Sequence, residues 1–205
     1  MHTDRSVLFI MKDTREYIIE EAYKLFLSRS YEAVSISDIS KAIGLTKGAL
    51  YHHFTNKEEL FKAVIDKYLI LNEMILWDQS FSLQQLMSFT VEKSAEIVNK
   101  LQGEQQVFIP ITYMALIIDA FRHYPGFASE KEQLLIREVE KIKEIMDRAI
   151  MNGEIRKDIN TEIMATNYYS ITIGLAQNLL HNSSPKIAIS ALQEQLAEFY
   201  KVLKI

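Results

Sequence analysis

Apolar residues recur every three or four positions along nearly the whole chain, the period of an amphipathic helix. In TREYIIEEAYKLFLS the positions Ile18, Ala22, Leu25 and Phe26 share one face, and Asp13 with Glu16 stands at capping-box spacing ahead of it. Ser30-Tyr31-Glu32 turns the chain. Ser35 then caps ISDISKAI with Asp38 at the reciprocal position, and Ile36, Ile39 and Ile43 face inward. Gly44 follows where a helix end favours a left-handed residue. Thr46 caps KGALYHHF, whose Leu50 and Phe54 reach a core, and Asn56 with Glu59 caps a long helix from about Lys57 to Trp77. Further helical periods cover roughly 82–101, 109–124, 130–152, 160–182 and 185–204. Pro110, Pro125 and Pro185 fall near the ends of these segments, where proline is tolerated.

The pattern predicts an all-α chain of about nine helices. A short three-helix unit with a helix-turn-helix at about 35–54 is followed by a larger helical part, and no linker separates them. There is no internal repeat and no low-complexity segment. The leading MHTDRSVLFI lacks the basic start, long apolar region and cleavage site of a signal peptide, and it is expected to be a poorly ordered extension ahead of Met11.

Composition narrows the function classes. The chain has 48% hydrophobic and 24% charged residues, 6 Gly and 3 Pro, which disfavours a many-turned β architecture. Cysteine is absent, so disulfides, thiol catalysis and Cys-ligated metals are excluded, in keeping with a cytoplasmic setting. No apolar run approaches the ~18 residues of a membrane span, so no membrane partner is expected. The net charge of −4 arises beyond residue 68, because residues 1–68 carry ten charges of each sign. No acid stands between Asp38 and Glu58, where Lys41, Lys47 and Lys57 lie. A local basic face on an acidic protein suits docking to an anion such as DNA.

The segment LTKGALYHHFTNKEEL concentrates that chemistry. Gly48 leaves the start of the short helix bare, so backbone can approach a base edge or phosphate. Thr46 and Tyr51 supply hydroxyls, and Lys47 and Lys57 supply charge. Lys47, Gly48 and Tyr51 share one side of the helix while Leu50 and Phe54 share another, leaving the first side free for a major groove. His52 and His53 are an unpromising metal pair, since neighbours on a helix diverge by about 100°.

LTKGALYHHFTNKEELF, preceded by VSISDISKAIG, resembles the DNA-binding region of the TetR family of transcriptional regulators over roughly residues 13–62. The resemblance implies a DNA-binding domain at 12–72 and a ligand-binding and dimerisation domain at 73–205. It implies DNA contacts from Ser35, Thr46, Lys47, Gly48, Tyr51, His52, His53 and Lys57. It also implies a homodimer on a palindromic operator, acting as a repressor that a small ligand releases.

The rest of the chain is consistent with this and less specific. Met164, Tyr168, Ile171 and Leu175 form one apolar stripe, and Ala188, Leu192, Leu196, Phe199 and Leu203 form another. They are either a core face or the two-fold bundle of a dimer formed by the last two helices, about 160–204. Gly174 within ITIGLAQ points to a close helix crossing, inside the subunit or across that interface. Trp77, Phe108, Tyr113, Ile117, Phe121 and Tyr168 are the candidate lining of a pocket for a small apolar or amphipathic ligand, in a middle that also holds Phe81, Met87 and Phe89. Asp119 in MALIIDAF is the polar outlier, expected to face water or pair with Arg122 or His123. No nucleophile elbow, phosphate loop, HExxH motif or paired-carboxylate site is present, so neither an enzyme nor a cofactor is expected. The alternatives are a regulator controlled by a protein partner and an activator.

Overall fold

Residue patterning and local capping account for most of the architecture. A computed structural model describes residues 5–70, 78, 80–102, 110–181 and 184–205. The described residues are helical: α1 (Arg5–Ser28), α2 (Ile36–Ala42), α3 (Lys47–His53), α4 (Lys57–Ile65), α5 (Leu83–Gln102), α6 (Pro110–His123), α7 (Phe127–Met151), α8 (Thr161–His181) and α9 (Pro185–Leu203). A short 3-10 turn, Tyr31–Ala33, links α1 to α2, and the only bridged backbone pair among the described residues outside helices is Ile155 with Lys204. No helix among the described residues is long and apolar enough to cross a membrane.

Three expectations change. α1 begins at Arg5, so Asp13 lies inside the helix instead of capping it. SVLFIMK contains neither Gly nor Pro to stop helical propagation toward the N-terminus. The helix starting at Lys57 is regular only to Ile65 and widens to a π-helical turn over Asp66–Ile70. Its expected continuation to Trp77 lies outside the described residues. Finally, α6 packs with the first unit.

The chain forms two compact units, residues 1–74 with 111–128, and residues 75–110 with 129–205. The first unit therefore takes in α6. Its core is built from Ile18, Ala22 and Phe26 of α1, Ile39 of α2, Leu50 of α3 and Phe54 at its end, Phe61 and Val64 of α4, and Leu116 and Ala120 of α6. The predicted faces of α1, α2 and α3 are the ones buried here. Fully burying one large apolar side chain stabilises by about 1.5–3 kcal/mol, so Phe54 and Phe61 are major anchors. The second unit has its own core, with Leu83 and Leu86 of α5, Ile145 and Met146 of α7, Ala165 and Leu175 of α8, and Leu192 and Leu196 of α9. Both predicted stripes on the last two helices contribute to it.

Candidate nucleic-acid interface

The helix-turn-helix is assembled by side-chain caps that the sequence announces. Ser35 Oγ accepts the Asp38 N–H at 3.2 Å, and Asp38 Oδ2 accepts the Ser35 N–H at 2.9 Å, a closed capping box. Hydrogen bonds from Ser35 hold the Asp38 carboxyl below its usual range. Gly44 adopts φ +68 after α2, a left-handed conformation that a Cβ would strain, and the chain turns there into α3. Thr46 Oγ1 accepts the Ala49 N–H at 3.2 Å and starts α3. Asn56 Oδ1 accepts the Glu59 N–H at 2.7 Å and starts α4, while Glu59 Oε2 accepts the Thr55 N–H at 2.7 Å.

With α3 pinned through Leu50 and Phe54, its opposite side is exposed. Thr46, Lys47, Gly48, Tyr51 and His52 lie on that accessible side, and Ser35 is exposed at the start of α2. Tyr51 keeps 50% of its surface open. The nearest atom to a Cβ built on Gly48 would be Thr46 Oγ1 at 4.0 Å, and Gly48 has no positive φ. The fold itself therefore does not require glycine at this position, and a close approach from outside the chain would. Lys41, at the end of α2, is exposed as well.

His53 differs from its neighbour. It is half-buried and meets the His52 ring edge to face at 5.6 Å between centroids. Burial first, then the positive charges of His52 and Arg15, hold its pKa below the ordinary value of 6.5. The Arg15 guanidinium lies 4.7 Å over the Phe54 ring and braces the same corner.

Lys57 is placed differently from the other expected DNA contacts. Its Nζ donates to the carbonyls of Tyr31 at 3.1 Å and Val34 at 3.2 Å, and it sits 3.9 Å over the Tyr31 ring. The ammonium thus serves the turn ahead of α2. Sequence reading also missed the role of Asp119. It is buried, and its Oδ2 accepts the Tyr31 N–H at 2.7 Å, instead of facing water or pairing with Arg122 or His123. The one signal for this was a carboxylate placed among the apolar residues of MALIIDAF.

The candidate ligand residues do not come together in one described cluster. Tyr113 and Ile117 are partly buried against the core of the first unit, and Phe121 is 53% exposed with its ring on Phe127. Tyr168 is a core residue of the second unit, its hydroxyl 2.6 Å from Thr90 Oγ1 and its pKa pushed up by burial. Trp77 and Phe108 lie outside the described residues. The second unit does carry an open groove of about 710 Å³ lined by Phe81, Ser82, Gln84, Gln85, Ser88, Phe89 and Glu92.

Residues 18–64 match the family model of bacterial regulatory proteins of the tetR family, which spans α2 and α3 entirely. The chain is 38% identical over 82 residues to the HTH-type transcriptional repressor ComR of Escherichia coli (strain K12), covering 40% of this chain and 35% of that relative. The chain thus spans only about a third of the length of that relative. Similarity to the HTH-type transcriptional regulator UidR of the same strain reaches further, 24% identity over 175 residues and 81% of both chains. The crystal structure of NalD of Pseudomonas aeruginosa, secondary repressor of the MexAB-OprM multidrug efflux pump, superposes with a TM-score of 0.65 at 19% identity, over 94% of this chain and 97% of that one. The likeness in fold extends into the second unit.

Proposed function

The chain belongs to the TetR family of transcriptional regulators, and from that premise we propose that it is a homodimeric repressor that reads a palindromic operator with α3. The observation that carries the proposal is the exposed, acid-free side of α3, with Gly48 bare where the fold imposes no need for glycine. A single recognition helix contacts only a few base pairs, so a specific site requires two copies about 34–36 Å apart.

The dimer surface is assigned to α8 and α9. From Ile163 to Leu180, α8 carries no charged residue, and Ile163, Ile173 and Leu180 remain exposed together with Ile187 of α9. A Cβ on Gly174 would meet nothing within 4 Å, so no close crossing among the described residues of the subunit explains this glycine. A close crossing with the partner copy does. The name of ComR, a transcriptional repressor, supports repression. Release by a small apolar or amphipathic ligand follows the same reading, with the Phe81–Phe89 groove as its first candidate site. Such a ligand acts only by binding the two arrangements of the protein with different affinity.

The test is fluorescence anisotropy with duplexes selected from a random pool, against a scrambled control at several salt concentrations. A specific operator reader binds its selected duplex at least about a thousandfold more tightly than the control. Equal, weak binding to both would sink the proposal.

A further inference from the structure

Gly48 and His52 stand four residues apart on α3, so the position without a side chain and the imidazole share one exposed side of the helix. A DNA backbone brought close at Gly48 therefore meets the His52 ring. The charge around that ring is one-sided. On α3 its ionisable companions are Lys47, Tyr51 and His53, and residues 39–57 contain no acid. The carboxylates on the neighbouring elements are engaged elsewhere. Asp38 of α2 is closed in the capping box with Ser35, Glu58 of α4 lies beside the Tyr31 hydroxyl, and Glu59 accepts the Thr55 N–H. The neighbouring cations are Arg15 of α1, over Phe54, Lys41 at the exposed end of α2, and Lys57 of α4, which is committed to the Tyr31 and Val34 carbonyls.

The exposed side of α3 thus holds no anion of its own, and a bound phosphate brings one. Imidazole is the side chain whose charge changes between about pH 5 and 8. A hydrogen bond between ionised partners is roughly twice as strong as a neutral one. We infer that His52 is a proton-coupled DNA contact, which meets phosphate as the imidazolium and makes operator affinity rise as pH falls. The inference rests on the operator reading proposed above. His53 does not share the role, since it is half-buried and burial, with the charges of His52 and Arg15, holds its pKa below the ordinary value. Linkage fixes the sign. A complex that binds more protons than its separate components grows tighter as pH falls, by at most about tenfold per pH unit for each proton taken up.

The test is anisotropy on folded protein with the duplex selected by the wild-type chain, at about pH 7.5 and about pH 5.5. Wild-type affinity should be at least about fivefold higher at the lower pH, and its salt dependence steeper there. His52→Gln, polar but never charged, should bring the ratio to within about twofold of unity. His52→Arg, charged at both pH values, should bind near pH 7.5 as the wild type does near pH 5.5 and lose the pH dependence. His123→Gln, which removes a histidine stacked on Tyr31 away from α3, should keep the wild-type ratio. Calorimetry in two buffers of different protonation enthalpy should register proton uptake on binding by the wild type and none by His52→Gln. A wild-type ratio near unity, or a full ratio in His52→Gln, would overturn the inference. A wild-type chain that binds selected and scrambled duplexes equally at both pH values would overturn the operator reading instead.

Discussion

At the scale of single residues, Gly48 and His53 make different demands on the same short helix. A Cβ at Gly48 meets open space, so Gly48→Glu should leave the melting temperature nearly unchanged. It places bulk and negative charge on the exposed side of α3, and on the proposed operator reading DNA binding should fall to the level of the scrambled control by anisotropy. A substantially lowered melting temperature would show instead that the glycine serves the fold. His53 tests an electrostatic argument. Its folded pKa lies below the ordinary 6.5 because burial and neighbouring positive charge disfavour the imidazolium. The unfolded chain therefore takes up more protons as pH falls below about 6.5, and the stability contributed by the neutral ring is lost through the folded pKa. His53→Gln should flatten the loss of melting temperature between about pH 7 and 5 relative to wild type. An unchanged pH profile would remove His53 as the source.

Among the helices and turns, Lys57 separates structural from binding charge. It lies at the start of α4, where phosphate contact was expected, yet its ammonium is spent on the Tyr31 and Val34 carbonyls. Lys57→Met keeps the stem and removes those bonds, so it should cost about 1–2 kcal/mol in denaturant unfolding. The salt dependence of DNA binding should stay at the wild-type slope, whereas Lys47→Ala, from the exposed side of α3, should reduce that slope by about one. A reduced slope in Lys57→Met would return it to the phosphate contacts. The caps of α2, α3 and α4 were visible in the sequence because a cap is a local contract between residues three apart. The π-helical turn at Asp66–Ile70 was not, since DKYLI continues a good helical period and nothing local marks a wider turn.

For the whole molecule, the dimer is the decisive assumption. Ile173 is 55% exposed next to Gly174, within the stretch of α8 from Ile163 to Leu180 that carries no charged residue. Ile173→Glu should convert the dimer to monomer in sedimentation analysis and weaken operator binding by at least about a hundredfold, because one half-site contributes too few contacts alone. A dimer that survives this change would move the interface away from α8. The second unit tolerates such a test, since its core rests on the opposite residues Ala165, Tyr168, Leu175 and Leu179 of the same helix.

What could be learned from sequence alone is what short-range chemistry controls. Helical period, caps, the left-handed Gly44 and the free side of α3 all follow from residues within a few positions of one another. That was enough for the all-α class, the helix-turn-helix and the family resemblance. Tertiary structure alone decided which unit α6 joins, that Lys57 turns inward, and that Asp119 binds a backbone N–H 88 positions away. It also packed Tyr113 against the core of the first unit and Tyr168 into that of the second. An apolar stripe specifies that a face is buried but carries no label for its partner, because hydrophobic burial is non-directional. Only the path of the folded chain supplies that partner.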